Sequence, residues 1–176
     1  MGQSPRQLLA FNLSLLLVAI AAGALGKALD GPALQQQHSV WPALRGIEGS
    51  TSDVFYVFGA NVRVVATLLF GACTFGLLTA VVLAWNGYAL GAGIVELSLR
   101  APEHVLVVMQ YVPLEFAAFV LASAGSMSLA FRIGACLFAG ERIAFKGPVL
   151  AHVAAVCMLA VAAAIEARAG RLIANP

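Results

Sequence analysis

The chain has 176 residues, of which 61% are apolar and 10% charged, against roughly 45–50% and 25% in an ordinary soluble domain. This composition excludes a water-soluble globule, because a domain of this size still exposes about a third of its unfolded surface and here has too few charges to cover it. The net charge of +2, without clustered basic residues, argues against a nucleic-acid partner. We therefore expect one all-α, polytopic membrane helix bundle in a single membrane domain, residues 1–176, solvated by the lipid bilayer.

Four apolar stretches are long enough to cross a bilayer, which takes roughly 20 helical residues. They are residues 8–29, 57–84, 114–138 and 148–165. The first continues past Lys27, which favours a retained span over a signal peptide. Residues 30–53 are rich in Gln, Pro, Gly and Ser, and we expect them to form an aqueous loop.

Residues 88–112 contain two apolar stretches that are each too short to cross. The longer one, residues 88–99, would extend about 18 Å as a helix. A polar linker that includes Pro102 separates the two, and Pro113 interrupts the chain after them. The pattern predicts a re-entrant or broken helical hairpin, which needs protein or a polar cavity to cover its backbone. A strongly kinked single span is the alternative.

Ionisable residues within apolar stretches need a partner, since each costs about 2.5–3.5 kcal/mol on insertion scales. Glu96 and Arg100 lie four residues apart and predict a local ion pair. Glu115 follows Pro113 by two residues, in the first turn of a predicted helix, where its charge meets unpaired backbone N–H groups. We expect Glu115 either to pair with Arg63 and fix two helices together or to handle a substrate or proton.

Small residues after Glu115 recur at every fourth position and would let another helix approach closely, within this chain or from another subunit. The members of this small-residue stripe are Ala118, Ala122, Ser126, Ala130 and Gly134. Gly87 and Gly91 form a similar pair. Asn12 and Asn61 are amides inside predicted spans, which usually indicates interhelical hydrogen bonds.

Motifs for hydrolysis, nucleotide binding and metal binding do not occur in the sequence. It contains no HExxH, GxSxG, Walker A or CxxC pattern, and its three histidines lie in different segments. Each of those chemistries needs several residues at fixed spacing. We therefore expect a protein that is not an enzyme and that has no cofactor and no metal.

Several short motifs follow one another within residues 55–130. Phe58-Gly-Ala-Asn61 opens the second span, Asn86-Gly87-Tyr-Ala-Leu90-Gly91 follows it, and Pro113-Leu-Glu115 precedes small residues. Together they resemble the stage II sporulation protein M family of integral membrane proteins. That family has an F-x-x-N element, glycines along the span, an N-G-x-x-L-G turn, and a Glu preceded by His-Gly.

One part of the family pattern is missing here, because Tyr111 and Val112 stand where the His-Gly pair would be. Any role of that histidine does not carry over. The positions that do carry over are Asn61, Asn86, Gly87, Gly91 and Glu115, and the resemblance implies that Asn86, Gly87 and Gly91 form a turn.

The resemblance implies a non-catalytic membrane subunit of a larger transport or envelope-associated complex. Its expected partners are other membrane subunits, such as an ABC-type ATPase, or a second copy of itself. The expected location is the bacterial cytoplasmic (inner) membrane with the N-terminus in the cytoplasm, although flanking Lys and Arg residues divide nearly evenly. The alternative is a self-sufficient, homo-oligomeric small transporter or channel with Glu115 at its pathway.

Overall fold

The structure is a computed structural model that describes residues 4–29 and 51–174, with side chains described for residues 4–29 and 54–169. All regular secondary structure in these ranges is helical, which confirms the all-α class. Residues 30–50, most of the predicted aqueous loop, lie outside the described residues. The last three residues of that loop belong to a helix.

Six α-helices follow one another in the described chain. They are α1 (Pro5–Leu29), α2 (Thr51–Phe70), α3 (Leu77–Arg100), α4 (Val105–Val108), α5 (Val112–Ala139) and α6 (Lys146–Ala174). All except α4 contain a segment long and apolar enough to cross a membrane. The contacts between helices show that successive long helices run antiparallel. Crossing by all five candidate spans would therefore put the start of α1 on one membrane face and the end of α6 on the other. We name these the amino-terminal face and the carboxy-terminal face.

The predicted span 57–84 is wrong, because the chain reverses direction inside it. A 3₁₀ turn, Gly71–Thr74, separates α2 from α3, and Phe75 and Gly76 have left-handed φ angles of 52° and 88°. The Thr79 hydroxyl donates to the Leu68 carbonyl oxygen at 3.1 Å and ties the two helices together. The connection contains no Pro or charged residue, so residues 57–84 form one continuous apolar stretch in a hydropathy profile.

The predicted hairpin at residues 88–112 is also wrong. Residues 88–99 form the second half of α3, whose 24 residues extend about 36 Å and can cross. The remainder forms a 3₁₀ turn, Pro102–His104, and α4, which together link α3 to α5. Five candidate spans therefore replace four spans and a hairpin. The predicted spans 8–29, 114–138 and 148–165 correspond to α1, α5 and α6. Helices α1 and α5 extend one to three residues further, and α6 extends nine residues beyond the predicted end.

Helix α5 lies at the centre of the bundle, since 61% of its span is buried against 17% for α2. In the small-residue stripe, Gly134 is half-buried and the other four members are buried. A methyl group on the neighbouring Gly125 would lie 2.9 Å from the Ala151 Cβ of α6. Small residues on α5 thus allow α6 to approach closely. The small-residue stripe therefore packs against helices of the same chain.

Helices α1 and α3 touch through glycines. A methyl group at Gly91 would overlap the Ile20 carbonyl oxygen, and one at Gly23 would overlap the Tyr88 carbonyl oxygen. Gly87 lies against Ala19 in the same contact, where a methyl group would come within 3.0 Å of the Ala19 Cβ. Gly87 and Gly91 are therefore packing positions inside a continuous helix and do not form the predicted turn.

Candidate functional site

Glu115 lies in the first turn of α5, as predicted, and its partner is Asn61 of α2. The Asn61 side-chain amide donates to the Glu115 carboxyl oxygen Oε1, and Glu115 is 8% exposed. The Glu115 backbone N–H donates to the Tyr111 carbonyl oxygen at 3.1 Å, which begins the helix. This contact fixes α2 against α5 and confirms the expected interhelical hydrogen bond of Asn61.

Arg63 does not pair with Glu115. Its side chain is exposed, and it has no ion pair within the described ranges 4–29 and 51–174. Positions two apart on a helix point about 200° away from each other. When Asn61 faces α5, Arg63 must therefore face outward.

Two further polar side chains lie near Glu115. The carboxyl groups of Glu115 and Glu166 are close enough to interact electrostatically, and Glu166 is 9% exposed on α6. Tyr111 is buried in the connection before α5, and its hydroxyl interacts electrostatically with both carboxyl groups. Burial, with a further contribution from Glu166 and Glu115, raises the pKa of Tyr111 above its usual value. The residue in the place of the family's histidine thus lies beside the carried-over glutamate.

Sequence reasoning missed Glu166 because the predicted fourth span ended one residue before it. Helix α6 continues to Ala174, and buried residues recur along it at helical spacing. These buried positions, from His152 through Leu159 and Ala163 to Glu166, lie on one side of α6, and their burial is seen only in the structure.

A groove of about 220 Å³ opens beside the Asn61–Glu115 contact. Its polar lining residues are Asn61, Asn86 and Glu115, so three of the five carried-over positions converge on it. The Asn86 amide also donates to the Val82 carbonyl oxygen of its own helix at 2.8 Å. A carboxyl group and two carboxamides offer donors and acceptors to a small polar or cationic group, or to a partner's peptide groups.

An ion cluster joins α1 to α3 at the carboxy-terminal face. Glu96 lies 3.5 Å from Arg100, which confirms the predicted local pair. It also lies 3.9 Å from Lys27 of α1, which is 5% exposed. The two cations make this buried carboxylate a link between the helices, and only the tertiary structure reveals the contribution of Lys27.

Ser126 and His152 form a second buried contact, between α5 and α6. The Ser126 hydroxyl oxygen lies 2.9 Å from His152 Nε2 and 3.0 Å from the Ala122 carbonyl oxygen. The His152 Nδ1 lies 2.8 Å from the Pro148 carbonyl oxygen, which can only accept, so Nδ1 carries the hydrogen in the neutral ring. Ser126 has 0% exposure and no room for a substrate. Sequence reasoning treated His152 as isolated and missed this contact.

Asn12 lies in the core between α1 and α5, with 0% exposure. Its amide donates to the Leu8 carbonyl oxygen at 2.7 Å and contacts the Met127 sulfur at 3.4 Å. The second contact is interhelical, as predicted. Within the described residues, no group of three His, Cys, Asp or Glu could hold a metal ion.

The comparisons with known proteins extend the resemblance beyond the motifs. The sequence matches the stage II sporulation protein M family over residues 8–169, which is most of the chain and includes all or nearly all of each candidate span. It matches no curated protein and no solved structure at a significant level. The chain is a membrane protein that belongs to the stage II sporulation protein M family.

Proposed function

We propose that the chain is a non-catalytic integral membrane subunit of a larger transport or envelope-associated complex. The supporting observation is that the residues of the family motifs serve contacts between helices. Asn61 binds Glu115 across α2 and α5, while Gly87 and Gly91 bring α3 onto α1. Contacts of this kind between helices hold the bundle in one shape. The outer surface of such a bundle is then available to bind other subunits.

The partners in this proposal are other membrane subunits, among them an ABC-type ATPase. Such a partner would supply the energy for transport, because the chain has no Walker A motif of its own. The location is the bacterial inner membrane, with the amino-terminal face in the cytoplasm. Reporter fusions after Ala174 and in the connection at Glu103 determine this orientation, and both must report the outer side.

Purification from native membranes in a mild detergent tests the proposal. The tagged chain is expected to carry a second membrane protein or an ATPase at fixed stoichiometry, measured by native mass spectrometry. The matched control is the same preparation after exchange into a dissociating detergent, which should yield the chain alone. Recovery from mild detergent of only the single chain, or only copies of it, contradicts the proposal.

The groove beside Glu115 favours a second candidate function, a homo-oligomeric small transporter or channel with Glu115 on its pathway. Its support is that a carboxyl group and two carboxamides line an open space of about 220 Å³. Flux through liposomes that contain only this chain, lost in Glu115→Gln while the oligomer is retained, would establish this function. The same result would contradict the subunit proposal.

A further inference from the structure

Helix α2 has an outer face that nothing in the described chain covers. Exposed side chains recur along it with alternating spacings of four and three residues, which places them in one stripe. Its members are Tyr56, Ala60, Arg63, Thr67 and Phe70. Gly59 lies beside this α2 stripe, and a methyl group placed on it would meet no atom within 4 Å.

Arg63 lies at the middle of this stripe and deep in the span. It is seven residues from Tyr56 and seven from Phe70, about 10 Å from each along the helix axis. The candidate span runs from Val54 to Thr74, and Arg63 lies close to its middle. The exposed guanidinium is therefore attached near the centre of the hydrocarbon layer, where a lone charge is unfavourable.

Among the described residues, no acidic group compensates this charge. Arg63 has no ion pair in the part of the chain that the structure describes. Thr67 donates its hydroxyl to the Arg63 backbone carbonyl oxygen at 2.8 Å, so this side chain serves the α2 backbone. A guanidinium presents five N–H donors in a planar fork that matches a carboxylate or a phosphate. Lipid phosphates lie at the membrane surface, so at mid-membrane depth the matching group is a carboxylate on another helix.

The described side chains of a second copy do not offer the required carboxylate. Within the described side chains, Glu115 and Glu166 are buried and Glu96 is paired with Lys27 and Arg100. Glu103 and Glu141 lie in the connections between spans. A symmetric contact through the α2 stripe would in addition bring two Arg63 side chains together.

We propose that the α2 stripe docks a transmembrane helix of a different protein, which carries an Asp or Glu at mid-membrane depth opposite Arg63. Gly59 and Ala60 allow the two backbones to approach closely. The carboxylate pairs with the guanidinium and removes both charges from lipid. This inference rests on the proposed function and adds the chemistry of the partner.

Site-specific cross-linking in native membranes tests the contact. A photoreactive amino acid replaces Ala60 or Thr67 in the stripe and, as matched controls, Val18 of α1 or Val153 of α6, which are 68% and 54% exposed. Adducts at 60 and 67 are expected to contain a transmembrane peptide of another protein with an acidic residue, and the controls are expected to lack it. Adducts formed only with lipid, or with residues 30–50 or another copy of this chain, overturn the inference.

Variants of Arg63 distinguish a failure of this inference from a failure of the proposed function. In Arg63→Leu, the yield of the native complex is expected to fall about tenfold or more, since the partner carboxylate stays unpaired. In Arg63→Lys, most of the yield of the native complex should be retained, because the positive charge remains. The isolated Arg63→Leu chain should fold at least as stably as wild type, which excludes misfolding as the cause. A complex that survives Arg63→Leu overturns the inference and leaves the proposed function intact, whereas absence of any complex from wild type overturns both.

Discussion

Among the single residues of this protein, Asn61 and Arg63 show how position on a helix decides the role of a side chain. The two are separated by one residue on α2, yet Asn61 faces α5 and donates to Glu115, while Arg63 is exposed on the outer face. A neutral amide thereby holds a buried carboxyl group, and the charged side chain remains available to a partner. Their functions differ because one lies inside the bundle and the other lies outside it.

The Asn61–Glu115 contact is expected to stabilise the bundle by about 0.6–1.7 kcal/mol, the range for polar pairs between membrane helices. Asn61→Ala and Glu115→Ala should each lower the free energy of unfolding, measured by denaturation in mixed micelles. Glu115→Gln should stay near wild type, because its amide oxygen still accepts from Asn61. A double-mutant cycle that shows no coupling between the two positions would contradict a stabilising hydrogen bond.

Tyr111 is expected to make folding sensitive to alkaline pH. Its pKa is raised in the folded state, chiefly by burial, so above the unfolded value of about 10 the folded chain keeps a proton that the unfolded chain loses. The contribution of Tyr111 to the free energy of unfolding is therefore fully present below about pH 10. Above that pH, the free energy of unfolding should fall by up to about 1.4 kcal/mol per pH unit.

The control for this alkaline loss is Tyr111→Phe, which keeps the ring and removes the ionisable hydroxyl. Unfolding titrations between pH 8 and pH 11, pH values chosen to bracket the unfolded pKa, should show a shallower decline for this variant. Equal declines in the two proteins would show that other groups cause the loss.

At the scale of elements, the bundle depends on helix pairs whose backbones touch. Glycines make this possible between α1 and α3, where Gly23 and Gly91 lie against carbonyl oxygens of the opposite helix. Alanine and serine serve the same purpose between α5 and α6, and Ser126 adds a contact to His152 there. Since lipid is as apolar as leucine, such close packing and buried polar contacts hold membrane helices together.

Substitution of Gly91 by Ala is expected to destabilise the protein by about 1–3 kcal/mol, because the added methyl group would push α1 and α3 apart. Gly59→Ala on α2 is the matched control, since its methyl group would meet open space. That variant should be neutral or more stable by about 0.5–1 kcal/mol, the difference in helix preference between Gly and Ala. Equal effects on the free energy of unfolding would argue against a backbone contact at Gly91.

At the scale of the whole molecule, five candidate spans of alternating direction predict which connections share a membrane face. Ser4 and Glu141 then lie on the amino-terminal face, and Glu103 lies on the opposite one. Four spans with a re-entrant hairpin at 88–112 would instead place Glu103 at the tip of the hairpin, within the membrane, and Glu141 on the face opposite Ser4. The face that each connection occupies therefore distinguishes the two topologies.

Single cysteines at 4, 103 and 141 test this topology in a background without Cys73, Cys136 and Cys157. A membrane-impermeant thiol reagent applied from one side should label 4 and 141 together and leave 103 unlabelled. Reagent applied from the other side should give the reverse pattern. Labelling of 4 and 141 from opposite sides would contradict five crossings.

The amino-acid sequence by itself determined that this protein is an all-α membrane bundle, because hydropathy is a sum over residues that needs no knowledge of neighbours. It also placed Glu115 in the first turn of its helix and paired Glu96 with Arg100, since both features are local. The small residues on α5 and the pair Gly87 and Gly91 were recognised as sites of close approach for the same reason.

Tertiary structure decided where the chain turns and which polar groups meet. The connection between α2 and α3 contains no Pro or charged residue, and its 3₁₀ turn and left-handed residues Phe75 and Gly76 are seen only in the tertiary structure. Asn61 and Arg63 point about 200° apart on α2, so only one of them can face α5. The packing of α2 against α5 decides that it is Asn61, which therefore becomes the partner of Glu115. Lipid surrounds most apolar side chains equally, so hydropathy marks the helices, whereas contacts between backbones and buried polar groups determine how they assemble.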